Sequence, residues 1–326
     1  MGTVLKTGPG AWEINATGFS KKPAVSTPIS RAVPTYSHMA LASLIAGGFV
    51  KFLVTQNFDS LHRRSGINPT LLATIHGDRC IEMCKKCKRR YLRDFTVRTA
   101  LFVHDHKTGR KCLDCGNELE DTLVNFDEEP VEEDWAKSQE QCKKADLIIV
   151  IGSSLLICTA TSLVELALAN KAKLVIINLQ NTPMNSYASM IIHGIADKVI
   201  SKLMGNFEIK VDTFKLFRRI KFDRYKKGKY ECLAVSGIDV DGRLYSFIKK
   251  VVVEMEKGKR EMLELEPFVY ASECKLADEL KIMVLFHQNY NEPPHKFTIG
   301  PKPSQICTIS YNFKTQKWKE MKEIVL

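Results

Sequence analysis

The chain has 326 residues, of which 44% are hydrophobic and 26% are charged, so one large domain or two of ordinary size are expected. Its 48 basic and 37 acidic residues leave a formal net charge of +11, which favours anionic partners but is also typical of a solvated surface. No apolar run approaches the ~18 residues of a membrane span, and no secretory signal is evident, so we expect no membrane partner. The ten cysteines are interpreted as reduced thiols and metal ligands, typical of a cytosolic or nuclear protein.

Apolar segments of strand or helix length alternate through the first two thirds of the chain. Residues 1–36 are rich in glycine and proline, which predicts an irregular loop. In chain order we then predict a helix at 35–46 ended by Gly47-Gly48, a strand at 49–55, a helix from its cap at Asp134 to Lys144, a strand at 146–152, a helix at 159–169, a strand at 173–180 and a helix near 187–204. This alternation predicts an α/β fold with a Rossmann-like parallel sheet and helices.

The composition changes after Met204. Residues 215–229 contain eight basic residues and one acidic residue, with aromatic residues between them. Such a segment is either a solvated coil or a contact for nucleic acid. Strand-like segments follow, including one pair joined by the hairpin signal Asp241-Gly242, and they predict a small, mainly β, antiparallel C-terminal domain.

Four cysteines have the spacing of a metal site. Cys84 and Cys87 form one C-x2-C pair, and Cys112 and Cys115 form a second pair 24 residues later. Two such pairs complete a tetrahedral site for one structural Zn ion, with no position left open for catalysis. The basic, polar residues that flank the pairs fit poorly with the alternative of four buried apolar thiols. We therefore predict a domain at 1–204 with a zinc module at about 79–125, a basic linker at 205–230 and a β-rich domain at 231–326.

His76 lies in the sequence TIHGD, eight residues before the first cysteine of the metal site. A lone histidine is more often structural than catalytic. However, Gly77 permits close approach of a ligand, and the polar residues Gln56, Asn57 and Asp59 follow another predicted strand. Because open α/β sheets bind ligands at the carboxyl ends of their strands, we predict that His76 is a catalytic base beside a polar binding site.

Gly152-Ser153-Ser154 follows the predicted strand at 146–152. A close-approach turn with two hydroxyl groups suits a ribose or a phosphate. The same small residues also begin helices after strands for capping reasons, so this motif alone leaves both interpretations open.

Taken together and in order, these motifs resemble the sirtuin family of NAD-dependent protein-lysine deacylases. The likeness covers roughly residues 8–204 and consists of GPGAW (8–12), TQNFDSLH (55–62), His76-Gly77, the paired cysteines, NFDE (125–128), GSSL (152–155), INLQ (177–180) and HGIAD (193–197). The segments at 98–126 and 177–183 look most like the class IV branch of nuclear sirtuins.

The resemblance implies a function and a set of roles. NAD would lie between the Rossmann-like domain and the zinc module, with Asn57 and Asp59 at the nicotinamide ribose and amide and Gln56 beside them. The adenosine half would contact Gly152, Ser153, Ser154, Asn178 and Asp197. His76 would be the general base toward the ribose, and a substrate peptide would add as a strand to the segments that contain Val124, Phe126 and Leu155. The implied partners are acylated lysine proteins such as histones, which implies a nuclear location.

The sequence also departs from the family pattern. The glycine-rich segment GAGxSxxSGIPDFRG is not found before GPGAW, and we expect its loss to remove phosphate-binding N–H groups and to impair activity. Ser60 and Asp127 replace usual glycines, and Asp78 replaces a usual asparagine, where a carboxylate beside the cofactor would repel phosphates or shift the pKa of His76. The alternative hypothesis is an inactive, zinc-stapled scaffold that binds chromatin or RNA through residues 215–229.

Overall fold

The computed structural model describes residues 29–255 and 258–321, so the GPGAW motif and most of the predicted N-terminal loop lie outside the described residues. The helices are α1 (Tyr36–Ala46), α2 (Leu61–Arg64), α3 (Glu132–Lys144), α4 (Cys158–Ala169) and α5 (Ala196–Asn206). The strands are β1 (Leu53–Thr55), β2 (Leu72–Thr74), β3 (Ile81–Cys84), β4 (Arg90–Arg93), β5 (Lys107–Lys111), β6 (Glu118–Asp121), β7 (Leu147–Ile151), β8 (Lys173–Asn178), β9 (Met190–His193), β10 (Leu216–Lys227), β11 (Tyr230–Ile238), β12 (Tyr245–Ser246), β13 (Ile248–Glu254), β14 (Arg260–Leu263), β15 (Phe268–Ser272), β16 (Leu280–Phe286), β17 (His295–Ile299), β18 (Ser304–Asn312) and β19 (Lys317–Met321). Within these described ranges, every helix is too short or too polar to cross a membrane.

The chain folds into two compact units, and each unit combines two separate stretches of sequence. The first unit joins Met1–Arg79 to Thr122–Phe214, and the second joins Cys80–Asp121 to Lys215–Leu326. The cysteine-bearing segment therefore belongs to the same compact unit as the C-terminal strands.

The first unit has the predicted Rossmann-like α/β architecture. Its described strands form two parallel sheets, β1–β2 and β7–β8–β9. Helix α4 places Ala160, Leu163, Val164 and Ala167 in one buried cluster, at the i, i+3, i+4, i+7 spacing that puts side chains on one face of a helix. Burial of this apolar face against β8 is what holds the helix on the sheet.

Three predicted elements of the first unit differ from the structure. The strand predicted at 49–55 is confined to Leu53–Thr55. The helix predicted to begin at Asp134 begins at Glu132, and Asp134 is buried inside its first turn, where its carboxylate accepts a hydrogen bond from Thr74 Oγ1 at 3.1 Å. The helix predicted near 187–204 is instead the strand β9 followed by α5, because the short apolar run MIIH pairs with β8.

The second unit contains the predicted antiparallel β domain. A five-stranded sheet, β15–β11–β10–β18–β19, and a four-stranded sheet, β14–β13–β16–β17, enclose one apolar core that includes Phe222, Val235, Val251 and Phe286. Alternate residues of β10 and β16 face this core, as expected for strands with one buried face.

The basic segment at 215–229 is the strand β10 and the hairpin turn that follows it. It pairs with β11 on one side and β18 on the other, so the prediction of a linker at 205–230 is wrong for residues 216–227. The physical reason is that the basic residues alternate with apolar ones, such as Ile220 and Phe222, and that pattern has the period of a strand.

The cysteine-bearing segment is joined to the C-terminal strands inside the second unit. Strand β12 pairs in parallel with β4, which completes the sheet β12–β4–β3–β6–β5. Arg218 of β10 is 1% exposed and forms ion pairs of 2.8 Å with the buried carboxylates of Asp94 and Glu292. Its guanidinium also lies over the ring of Phe247, 4.6 Å from the centroid. A buried charge of this kind is tolerated because two carboxylates of opposite charge lie beside it, both paired with Nη2.

Candidate functional site

The polar residues predicted to bind a cofactor and the predicted base come from neighbouring parallel strands. Gln56, Asn57 and Asp59 follow β1, and His76 follows β2. The register pairs Thr55 with Thr74, so both polar segments leave the sheet at the same edge. The carboxyl edge of a parallel sheet is a general site for ligands. The structure therefore places these four residues on one edge of the sheet.

His76 is half-buried, and burial lowers the pKa of its imidazole below the ordinary value of 6.5. Loss of water around the ring disfavours the charged form. The backbone next to His76 is held from the opposite side, because the N–H of Val124 donates a hydrogen bond to the His76 carbonyl oxygen at 3.2 Å. The ring is consequently neutral at pH 7 and capable of accepting a proton.

Gly77 is required by the close approach of two backbones. Its φ is +76°, a conformation that side chains rarely allow, and a Cβ at this position would lie 1.8 Å from the carbonyl oxygen of Thr122. No rearrangement of a flexible side chain relieves such a contact, since the neighbouring atom is backbone. Gly77 therefore keeps His76 against the segment that contains Val124.

Two of the departures from the family pattern contact each other. Ser60, at φ +61°, donates its hydroxyl hydrogen bond to the carboxylate of Asp78, and both residues are buried. Asp78 is further held by Thr122, whose Oγ1 accepts from the Asp78 N–H at 3.1 Å. The carboxylate of Asp78 is therefore turned into the protein, where it joins the segment after β1 to the segment after β2.

The segment after β7 reaches the segment after β1 through one side-chain contact. Gln56 Nε2 donates to Ser153 Oγ at 2.6 Å, and the same oxygen accepts the N–H of Leu155 at 3.2 Å. Gly152 has φ +64°, so it makes the turn that an ordinary residue would resist, and Ser154 is exposed. Gly152 and Ser153 thus lie next to Gln56, in the same part of the molecule as the residues that follow β1.

The two predicted adenosine contacts that lie further along the chain have partners in the protein. Asn178, at the end of β8, donates its side-chain N–H to the Gln180 carbonyl oxygen at 3.0 Å. The carboxylate of Asp197 accepts hydrogen bonds from the Ser37 N–H at 3.0 Å and from the Ser37 and Thr35 hydroxyls, which ties α5 to the first turn of α1. Asp197 therefore has a structural task that its sequence motif did not reveal.

The predicted substrate residues differ in exposure. Val124 is half-buried and Phe126 is exposed, as a docking strand requires. Leu155 is not exposed: its side chain is 3% accessible and packs in the core beside α4, whereas Leu156 is 73% exposed. Within this loop Leu156 therefore presents the exposed side chain, and the addition of a substrate strand beside Leu155 stays a prediction. The positive φ of Leu155, +53°, turns the chain so that the second leucine faces outward.

The four predicted zinc ligands converge. The sulfur atoms of Cys84, Cys87, Cys112 and Cys115 all lie within 4.8 Å of one another. The separation between Cys84 Sγ and Cys115 Sγ is 3.5 Å, as is that between Cys87 Sγ and Cys112 Sγ. Four thiolates about one point match the tetrahedral coordination of zinc, so this cluster fits a zinc ion and leaves no open coordination position.

Each cysteine pair is shaped by a tight backbone turn. The N–H of Lys88 donates to the Cys84 carbonyl oxygen at 2.8 Å, and the N–H of Gly116 donates to the Cys112 carbonyl oxygen at 2.9 Å. Both turn residues have positive φ. Burial raises the pKa of the Cys112 thiol, but the Tyr91 hydroxyl and backbone N–H groups outweigh it and lower that pKa to about 6. A thiol that ionises this readily is suited to metal binding.

A family model and several known proteins are similar to this chain, and all of them are sirtuins. The model of the Sir2 family matches residues 14–159. The chain is 34% identical over 287 residues to the NAD-dependent protein deacetylase SRT1 of Oryza sativa subsp. indica, a match that covers 85% of this chain and 59% of that protein. It is also 34% identical over 215 residues to the NAD-dependent protein deacetylase sirtuin-7 of Mus musculus, covering 63% of this chain and 52% of that protein.

A bacterial relative is matched over a larger part of its own length. The chain is 31% identical over 176 residues to the NAD-dependent protein deacetylase of Thermodesulfovibrio yellowstonii, covering 54% of this chain and 67% of that protein. By contrast, the chain spans about half to three fifths of the length of the plant and mammalian relatives. The likeness to sirtuin-7 supports the predicted resemblance to the class IV branch. With its Rossmann-like unit, its four-cysteine cluster and this similarity, the chain belongs to the Sir2 family, the sirtuins.

Proposed function

We propose that this protein is an NAD-dependent protein-lysine deacetylase that acts on acetylated nuclear proteins such as histones. The observation that carries the proposal is the placement of His76 and the polar residues Gln56, Asn57 and Asp59 on one edge of a parallel sheet. The names of the relatives support the same reaction, since they are NAD-dependent protein deacetylases.

The residues at this edge fit one half of an NAD molecule. Gln56 and Asn57 are half-buried amides that offer both donors and acceptors, and Gly152 leaves room for close approach of a ligand. When bound, NAD supplies a ribose carbon that becomes electrophilic as nicotinamide departs. In the proposal, Asn57 and Asp59 orient the nicotinamide end, and Ser153 and Ser154 offer hydroxyls toward the remainder of the cofactor.

His76 is proposed to accept a proton from a ribose hydroxyl. Its lowered pKa keeps Nδ1 and Nε2 from both being protonated at neutral pH, so one nitrogen is available as the acceptor. Because the base works only when neutral, the rate is expected to be lost as the pH falls through this pKa, below 6.5, and to be retained at neutral pH. Gly77 and the Ser60–Asp78 hydrogen bond hold the backbone on which the imidazole stands.

The substrate peptide is proposed to lie along the segment at Val124–Phe126. The exposed ring of Phe126 and the exposed side chain of Leu156 offer apolar contacts, while backbone N–H and carbonyl groups provide strand addition. The four-cysteine cluster is proposed to hold one structural zinc ion, which stabilises its module and takes no part in the chemical step.

The test is release of nicotinamide from NAD in the presence of an acetylated histone peptide. We expect His76→Ala to reduce the rate by roughly 100-fold or more, as expected for loss of a general base. The matched control is His104→Ala, which replaces an exposed histidine of the other unit and is expected to leave the rate unchanged. Equal rates for His76→Ala and the unaltered protein, with nicotinamide release observed in both, would refute the role of His76.

Nuclear location is a separate proposal, supported by the likeness to the class IV branch. A fluorescent fusion of the full chain should concentrate in the nucleus. A fusion that stays outside the nucleus would contradict the location without bearing on the reaction.

A further inference from the structure

The five-stranded sheet of the second unit has one face in the core, and along β10 its opposite face carries exposed and half-buried side chains. Along β10, Leu216, Ile220 and Phe222 point inward and are buried. Phe217, Arg219, Lys221 and Tyr225 occupy the alternate positions, so their side chains stand on the opposite, outer face. The basic residues of this strand are therefore sorted by the pleat: Arg218 is held in the buried ion cluster, and Arg219 and Lys221 face outward.

The neighbouring strands add further cations to the outer face. In the register of the sheet, Phe217 pairs with Ser310 of β18, and Ser310 pairs with Lys319 of β19. Arg219 pairs with Thr308, and Lys317 lies two residues from Lys319 on the same face. Within the described part of the chain, neither Lys317 nor Lys319 has an ion-pair partner. The positive charge of this surface thus comes from two strands, β10 and β19, whose basic side chains the sheet places on one face.

Two aromatic rings frame these cations. Phe217 is 45% exposed and Tyr225 is 41% exposed, although a large apolar ring is usually buried. They stand eight residues apart on one strand, which at about 3.4 Å per residue corresponds to roughly 27 Å. Exposed aromatic rings on a sheet, separated by cationic side chains, are the arrangement with which proteins stack bases and neutralise phosphates of single-stranded nucleic acid.

We propose that the outer face of this sheet binds single-stranded RNA, with Phe217 and Tyr225 stacked on bases and Arg219, Lys221 and Lys319 at phosphates. RNA is favoured over DNA because hydroxyl groups line the same face between the cations, at Ser236, Thr308 and Ser310. A hydroxyl pairs well with the ribose 2′-hydroxyl, which is both a donor and an acceptor and is missing from DNA.

One acidic residue works against this interaction. Asp223 lies on the outer face of β10 between Lys221 and Tyr225, and its carboxylate is 2.9 Å from Lys221 Nζ. It reduces the charge available to a phosphate at that point. Replacement of Asp223 is therefore expected to strengthen RNA binding, whereas replacement of its neighbours is expected to weaken it.

The experiment measures fluorescence anisotropy of a labelled oligouridine of twelve nucleotides with the full chain, over a series of salt concentrations. We expect Phe217→Ala and Tyr225→Ala each to weaken binding at least roughly fivefold, the lower end of what one stacked base contributes. Arg219→Gln combined with Lys319→Gln should reduce the slope of log K against log salt by roughly 1.4, about 0.7 for each lost phosphate contact. Asp223→Asn should tighten binding.

A charge-matched control is available at the end of β10 and in the turn that follows it. Lys226→Gln combined with Lys229→Gln also removes two positive charges, but these lysines already pair with Glu231 and Glu273 away from the outer face. This control is expected to leave affinity and salt slope nearly unchanged. Thermal melts of all variants show whether the fold is kept, since the replaced side chains are outside the core.

The outcomes separate clearly. Equal loss of affinity in the control pair and in the outer-face pair would overturn the assignment of the surface, because total charge alone would then explain binding. Weaker binding by Asp223→Asn would overturn it as well. Equal affinity for the corresponding oligodeoxynucleotide would overturn the choice of RNA. None of these outcomes depends on whether the protein deacetylates a peptide.

Discussion

Acid is expected to destabilise the first unit through a pair of buried histidines. His38 of α1 and His62 of α2 are 1% and 3% exposed, and their ring centroids are 4.6 Å apart. Burial lowers the pKa of His38 to about 4. Burial and the neighbouring His38 together lower the pKa of His62 to about 3. The carboxylates of Asp197 and Asp59 act in the opposite direction but do not compensate.

The sign and size of the effect follow from proton binding in the two states. An unfolded histidine has a pKa of about 6.5 and is almost fully protonated at pH 5, whereas both folded histidines remain mostly neutral at that pH. The unfolded state therefore binds more protons, and stability falls as the pH drops from about 6.5 toward the folded values. Between pH 8 and pH 5 the loss is about 2 kcal/mol for each histidine, or about 4 kcal/mol for the pair.

Thermal melts between pH 8 and pH 5, followed by circular dichroism, measure this effect. A loss of about 4 kcal/mol corresponds to a decrease in Tm of roughly 8–16 °C for a unit of this size. The variant His38→Gln removes one titrating ring and keeps an acceptor for the Thr35 N–H, which His38 Nδ1 accepts at 3.2 Å. It is expected to reduce the pH dependence by about half.

Combining His38→Gln with His62→Gln should abolish most of the difference between the two pH values. Among the described residues, His38 Nε2 and His62 Nδ1 have no hydrogen-bond partner. The glutamine variants therefore break no hydrogen bond at these two nitrogens. If the double variant loses as much stability at pH 5 as the unaltered protein, the histidine pair is not the source of the acid sensitivity, and the reasoning is refuted.

Three further predictions concern the site and the second unit. Gly77→Ala should destabilise the protein by more than about 3 kcal/mol in urea titrations, because it adds a backbone clash to an unfavourable φ; Gly66→Ala, also at positive φ but in open space, should cost about 1 kcal/mol. Mass spectrometry of the reduced protein should find about one zinc ion per chain, and Cys115→Ser should lose it; a metal-free protein of unchanged Tm would contradict the zinc assignment. Arg218→Met should lower the free energy of unfolding by about 3–5 kcal/mol, because it leaves two buried carboxylates without their cation. Arg219→Gln on the outer face should change it by less than about 0.5 kcal/mol. Equal losses in the two variants would show that the buried ion cluster contributes little.

Local patterns predicted a large part of the fold. The C-x2-C spacing brought four cysteines to one point, and the continuous apolar runs at 147–151 and 173–178 became parallel strands. Helix α1 ends next to Gly47, as predicted. These features could be predicted because each depends on residues that are close in sequence, where spacing alone decides which side chains share a face.

Element boundaries and exposure were less predictable. Nothing in the run GSSLL shows that Leu155 turns into the core and Leu156 turns out, because that choice depends on the positive φ of Leu155 and on the space left by α4. Likewise, the charge of residues 215–229 favours a solvated segment, whereas its pairing with β11 and β18 makes it an inner strand. Tertiary pairing overrode composition there.

The sequence alone determined the family, the metal-binding spacing and the residues that follow the strands of the first unit, since these depend on short motifs. Only the tertiary structure decided which distant residues meet. It joined Ser60 to Asp78, buried Arg218 against Asp94 and Glu292, and sorted the basic residues of β10 between a core and a surface. The physical reason is that a sequence pattern specifies local conformation, while the partner of each polar group depends on which segments the burial of apolar surface brings together.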